Sequence, residues 1–147
     1  MATSHTQPLL TAAALAYAGA TVFASAVSLR EDIPGEPFGI SAPFSVRTGL
    51  AVGWGAGIAP PWFMPLAALL ATQRAAGGRP VPALAASAIG AASIAGHLIE
   101  PVTRRPGSWT RATTASIALT MGSSVALAAA GHARYRAAGA TTARPDA

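Results

Sequence analysis

Four long stretches without a charged residue govern what this chain can become. They cover residues 9–29, 48–73, 81–99 and 112–131, and are 21, 26, 19 and 20 residues long. A helix needs about 20 mostly apolar residues to cross a hydrocarbon core about 30 Å thick, so every stretch reaches that length or falls one residue short. Backbone in lipid must satisfy its own hydrogen bonds, which makes the helix the natural form. Alanine, the best helix former, supplies 38 of the 147 residues. These features predict an all-α protein. Residues 1–132 are expected to form a four-helix transmembrane bundle with a proline-broken second helix, and residues 133–147 a disordered tail of arginine, glycine, proline and small polar residues.

The charges fall between the stretches. Ten arginines and five acids are too few to give four soluble helices the charged outer faces they need, which argues against an alanine-rich bundle in water. The net charge of +5 and pI near 11.4 raise the question of nucleic acid. Binders of that kind gather basic residues on one face and interleave aromatics; here the arginines flank apolar runs, and no nucleic-acid partner is expected. With no cysteine, a disulfide scaffold, a thiol enzyme and a cysteine-ligated metal are excluded. No Lys or Arg precedes Arg30, so the first stretch lacks the positive region of a signal peptide and reads as a retained span. The expected location is the cell membrane, as a multi-pass protein in contact with the bilayer. Four spans place both termini and the 74–80 loop on one side, and the 30–47 and 100–111 loops on the other. The arginines divide five to five between these sides, so the positive-inside rule assigns no orientation.

The second stretch is not a plain rod. Gly49, Gly53 and Gly57 recur every four residues, a spacing that lets two helices approach closely. Pro60, Pro61 and Pro65 follow, and interior prolines kink or break a helix. Broken backbone is tolerated in a membrane only where protein or a wet cavity covers it. The segment therefore predicts either a cavity near Pro60 to Trp62 or a kinked packing helix.

The strongest chemical signal stands where the third stretch meets its loop. His97 and Glu100 are three residues apart and share a face if helical. Ionisable groups at a membrane are costly and tend to face the bundle interior or water. A low local dielectric raises a carboxyl's pKa and suits it to proton donation. Glu100 is the expected general acid and His97 its partner; the competing reading pairs Glu100 with Arg104 or Arg105 at the interface. Sidedness gathers Glu31, Asp32 and Glu36 near Glu100, with Arg104 and Arg105. Arg104, Arg105, Trp54, Trp62, Glu31 and Asp32 are the expected substrate contacts. A metal is not expected, because His97 and Glu100 lack a third ligand, and no cofactor is implied. The pattern predicts a small membrane enzyme that isomerises, cyclises or opens an epoxide in a lipophilic small molecule. The alternatives are a proton-coupled transporter of a small amphiphile, and a non-catalytic assembly subunit joined to itself or to a partner membrane protein through Gly49, Gly53 and Gly57.

Overall fold

A computed structural model describes residues 3–142. Among them every regular element is helical: α1 (Thr3–Glu31), α2 (Val46–Val52), α3 (Phe63–Ala75), α4 (Pro80–Ile99) and α5 (Arg111–Thr142), with single 3-10 turns at Pro37–Gly39, Val102–Arg104 and Pro106–Ser108. The segments His5–Glu31, Pro80–Ile99 and Arg111–Ala140 are long and apolar enough to cross a membrane, which points to membrane association. At 1.5 Å per residue α4 is about 30 Å long, whereas the 13 residues of α3 reach only about 20 Å.

The four longer helices close a ring. α1 packs on α5 and α3, and α4 packs on the same two. The contacts are close because the facing residues are small. A Cβ added to Gly90 on α4 would stand 2.6 Å from the Ser124 carbonyl oxygen of α5, and one on Gly131 of α5 would stand 2.6 Å from the Ser87 nitrogen of α4. Small residues permit this approach, and the Ser87 hydroxyl adds a 2.8 Å bond to the Ala128 carbonyl. The interior is made largely of Ala, Ser and Thr, including Ala14, Ala68, Ala86, Ser116, Thr120 and Ser124, while Leu9, Leu15, Val22, Leu66, Leu119 and Val125 are more than half exposed. Many of the bulky aliphatic groups point outward, with Leu10, Ile58 and Leu127 as buried exceptions, and many of the helix hydroxyls point inward.

Three expectations need correction. The stretch 48–73 is not one helix broken at its prolines. α2 ends at Val52, and α3 begins only at Phe63, because Gly53 takes a left-handed φ of 81° and caps α2; Gly55 follows at 89°. This also removes the glycine face. Gly49 lies in α2, Gly53 caps it, and Gly57 lies in irregular chain, where an added Cβ would stand 2.7 Å from the Pro34 carbonyl oxygen. The close helix contacts belong to Gly90 and Gly131 instead. Finally, α5 runs through residue 133 to Thr142 without interruption, so the expected disordered tail is helical over 133–142; residues 143–147 lie outside the described residues. Alanines carry the helix onward. Arg134, buried on it, donates to the Ala75 carbonyl at the end of α3, a cation closing a helix C-terminus.

Candidate functional site

The site arises from the irregular chain between α2 and α3. Residues 55–60 are all buried, so their backbone polar groups need partners. Ala56 and Ala59 exchange two 3.0 Å hydrogen bonds around a Gly57–Ile58 tip, and the Gly57 amide reaches the Ile33 carbonyl. Pro60 and Pro61 carry no N–H to leave unpaired. Ile58, 0% exposed, inserts beside Val27 and Ile117 and pins the tip into the bundle.

This segment stands off from α4 and leaves a cleft of about 250 Å³, lined on one side by Trp54, Pro60 and Pro61 and on the other by Ser93, His97 and Glu100. The volume lies just below the ~300–1,000 Å³ of ordinary ligand pockets. Trp54 at the rim is held by a 3.1 Å bond from its indole N–H to the Gly35 carbonyl and an edge-on contact with Phe44.

Glu100 caps the C-terminus of α4 and is partly buried. Its Oε2 accepts a 2.9 Å bond from the Glu36 amide, which ties the loop after α1 to the cleft. Burial pushes the Glu100 carboxyl above its ordinary value of 4.5; the Glu36 carboxylate adds to the rise, and the Glu36 amide opposes it. The carbonyl end of α4 beside it also disfavours a negative charge. Arg104 does not neutralise it, because that guanidinium donates to the Ile99 carbonyl at 3.0 Å. Glu36 itself takes the Ser41 hydroxyl at 2.7 Å.

His97 lines the same cleft but is otherwise occupied. It is 4% exposed; Nδ1 donates to the Ser93 carbonyl at 2.8 Å, and Nε2 meets the Thr120 hydroxyl of α5 at 2.9 Å. With Nδ1 protonated, Nε2 of the neutral ring shares the one Thr120 hydroxyl proton with the Ser116 carbonyl, 2.8 Å from the same oxygen. The histidine thus bridges α4 and α5, and Glu100 finds its partner in Glu36.

The remaining expected contacts are dispersed. Trp54 lines the cleft. Trp62 instead borders an outer groove with Val22 and Leu66. Glu31 accepts hydroxyls from Thr110 and Thr113 at the start of α5, where a carboxylate suits the helix N-terminus. Asp32 is exposed at a positive φ of 51°. Arg105 is exposed, and Arg104 borders a separate hollow of about 160 Å³ with Thr103 and Met121. Among the described residues no three His, Asp or Glu side chains converge on a metal position. Sequence reasoning missed Glu36 as the Glu100 partner, Thr120 as the His97 partner, and Ser93; the last could have been sought as the residue one helical turn before His97. No protein-family model, curated protein or solved structure matches this chain.

Proposed function

We propose that this chain is a multi-pass protein of the cell membrane that takes a small lipophilic molecule into the cleft and isomerises it by proton transfer from Glu100. The outward leucines and inward hydroxyls support a lipid-facing exterior, since a bundle in water buries its bulky aliphatics. The segment from α2 through α3 then serves as the fourth crossing, its irregular part covered by protein as bilayer physics requires. The observation that carries the functional reading is a half-buried carboxyl with a raised pKa in the wall of a mostly apolar cleft.

One carboxyl suffices for isomerisation. Glu100 gives its proton to a carbonyl or epoxide oxygen of the substrate. The carboxylate so formed removes a proton from a neighbouring carbon, and the C–H pair becomes a C=C bond as the epoxide C–O bond opens to an allylic alcohol, or as the carbonyl π bond gives way to the C–OH of an enol. The acid is regenerated without a co-reactant. His97 acts as a positioning residue that fixes the end of α4, not as a proton carrier, because both ring nitrogens are engaged. The assembly reading loses its residue-level support, since Gly49, Gly53 and Gly57 form no common helix face.

Calorimetric titration of the detergent-solubilised protein with 1-octanol tests occupancy of the cleft. Gly96→Leu supplies the filled-cleft control, because Gly96 lines it and a Cβ there meets nothing within 4 Å. Saturable binding that Gly96→Leu abolishes is expected. A panel of ten-carbon terpenoid epoxides and β,γ-unsaturated ketones then tests the chemistry, with Glu100→Gln expected to lower turnover about 10²–10⁴-fold. Octanol binding without conversion of any panel member would refute the enzyme and leave a binding protein; equal turnover in Glu100→Gln would remove the acid role.

A further inference from the structure

Two buried hydroxyls meet behind the inner end of the cleft. Tyr17 of α1 is 0% exposed and Ser93 of α4 is 3% exposed. The Tyr17 hydroxyl faces Ser93 and Thr21, yet neither it nor the Ser93 hydroxyl has a partner at hydrogen-bond geometry. The nearby groups are already committed: Thr21 donates to the Tyr17 carbonyl, and the Ser93 carbonyl receives the His97 ring. Tyr17 shares an apolar cluster with Leu10, Ala14, Ala68 and Ala86, whose side chains offer no polar atom. Buried hydroxyls are almost always bonded, so an unbonded pair needs an explanation.

The position of the pair supplies one. Ser93 belongs to both places, lining the cleft and meeting Tyr17. Met64 does so too, since it lines the cleft and packs against the apolar cluster around Tyr17. A methionine is unbranched and repacks readily, so the cleft wall next to the Tyr17 cluster can adjust. We infer that the Tyr17 and Ser93 hydroxyls form an inner oxygen-binding subsite, and that the cleft takes a lipophile with an oxygen function at each end, one held by Glu100 and the other by this pair. The inference rests on the cleft being a ligand site. Seven residues separate Ser93 from Glu100, a rise of about 10 Å along α4, which matches a chain of roughly eight carbons between the two oxygens.

The test compares 1-octanol with 1,8-octanediol by calorimetric titration of wild type, Tyr17→Phe and Ser93→Ala in one detergent. Preferences are expressed as ratios of variant to wild type, so that partitioning into micelles cancels. Wild type is expected to favour the diol, and each variant to lose about fivefold to tenfold of that preference; Tyr17→Phe, which does not line the cleft, should bind 1-octanol unchanged. Tyr17→Phe keeps the ring and removes only an unbonded oxygen, so its melting temperature should equal or exceed that of wild type. Unchanged diol preference in both variants overturns the subsite while leaving the cleft reading intact. Failure of wild type to bind either probe overturns the cleft reading and the subsite with it. A melting temperature several degrees lower in Tyr17→Phe would show that the hydroxyl is bonded in the unliganded fold, and would also overturn the subsite.

Discussion

Replacing Gly131 by alanine tests the central packing of the bundle. The new Cβ would stand 2.6 Å from the Ser87 nitrogen and 2.8 Å from the Ala83 carbonyl oxygen, whereas ordinary contact begins near 3.4 Å. Both obstacles are backbone of α4, which cannot rotate aside, so the two helices must part by about 0.8 Å. A radial gap of that size forfeits roughly a quarter to a half of each dispersion contact; over some twenty atom pairs this loses about 1–2 kcal/mol. The Ser87 to Ala128 hydrogen bond at 2.8 Å stretches beyond useful length, and bonds of this kind contribute about 0.6 kcal/mol between membrane helices. Alanine returns up to about 1 kcal/mol through its helix propensity. With the full propensity gain the net expectation is a destabilisation of about 0.6–1.6 kcal/mol.

Thermal unfolding in a single detergent measures it, with Gly122→Ala as the internal control. Gly122 lies on the same helix, is exposed, and has nothing within 4 Å of an added Cβ, so only the propensity gain applies and its melting temperature should rise slightly. Gly90→Ala should behave like Gly131→Ala, its Cβ lying 2.6 Å from the Ser124 carbonyl oxygen. The double variant should cost less than the two singles together, because one separation of α4 from α5 relieves both clashes. Equal melting temperatures for Gly131→Ala and Gly122→Ala would refute the close approach of these helices.

Three further outcomes follow from the site. Glu100 holds a proton more tightly folded than unfolded, so wild type should lose stability as pH rises from about 4.5 to the raised folded value; Glu100→Gln should flatten that slope, and parallel pH–stability curves would contradict the burial of the carboxyl. Gly55→Ala combines a φ of 89° with a Cβ 2.9 Å from the Ala59 carbonyl oxygen, and should cost about 1–3 kcal/mol of backbone strain together with octanol binding; retention of both would mean that the turn is not built as described. Thr120→Val leaves the His97 Nε2 without its partner and should destabilise by about 1 kcal/mol in thermal unfolding, while a neutral effect would show that the imidazole does not join α4 to α5.

Much of the helical framework was legible because charge-free length is a property of the chain itself. The first, third and fourth stretches became α1, α4 and α5, and the alternation of their directions brought Glu31, Glu36 and Glu100 to one end, linked by bonds from Thr110 and from the Glu36 amide. What stayed hidden depended on backbone torsions or on partners distant in sequence. A glycine every fourth residue is written the same way whether it packs a helix or ends one; only the positive φ at Gly53 and Gly55 separates the cases. The spacing of His97 and Glu100 fixes their place on α4 but cannot reveal that Thr120 waits on α5, or that a backbone amide holds the carboxylate. Arg134 reads as the edge of a tail because its role, capping α3, involves a residue 59 positions away.

The hidden feature and the site have one cause. Helices faced with alanine, serine and glycine approach until their backbones touch, as Gly90 and Gly131 show, and such contacts leave little room for a ligand between straight rods. A cleft can open beside α4 only where its neighbour is not a helix. Residues 53–62 provide that interruption: the left-handed glycines stop α2, the Ala56–Ala59 turn seals its own hydrogen bonds, and the two prolines remove donors that burial would leave unpaired. Restoring a continuous helix there should let the second stretch pack along α4 as tightly as α5 does, and the space beside Glu100 would close.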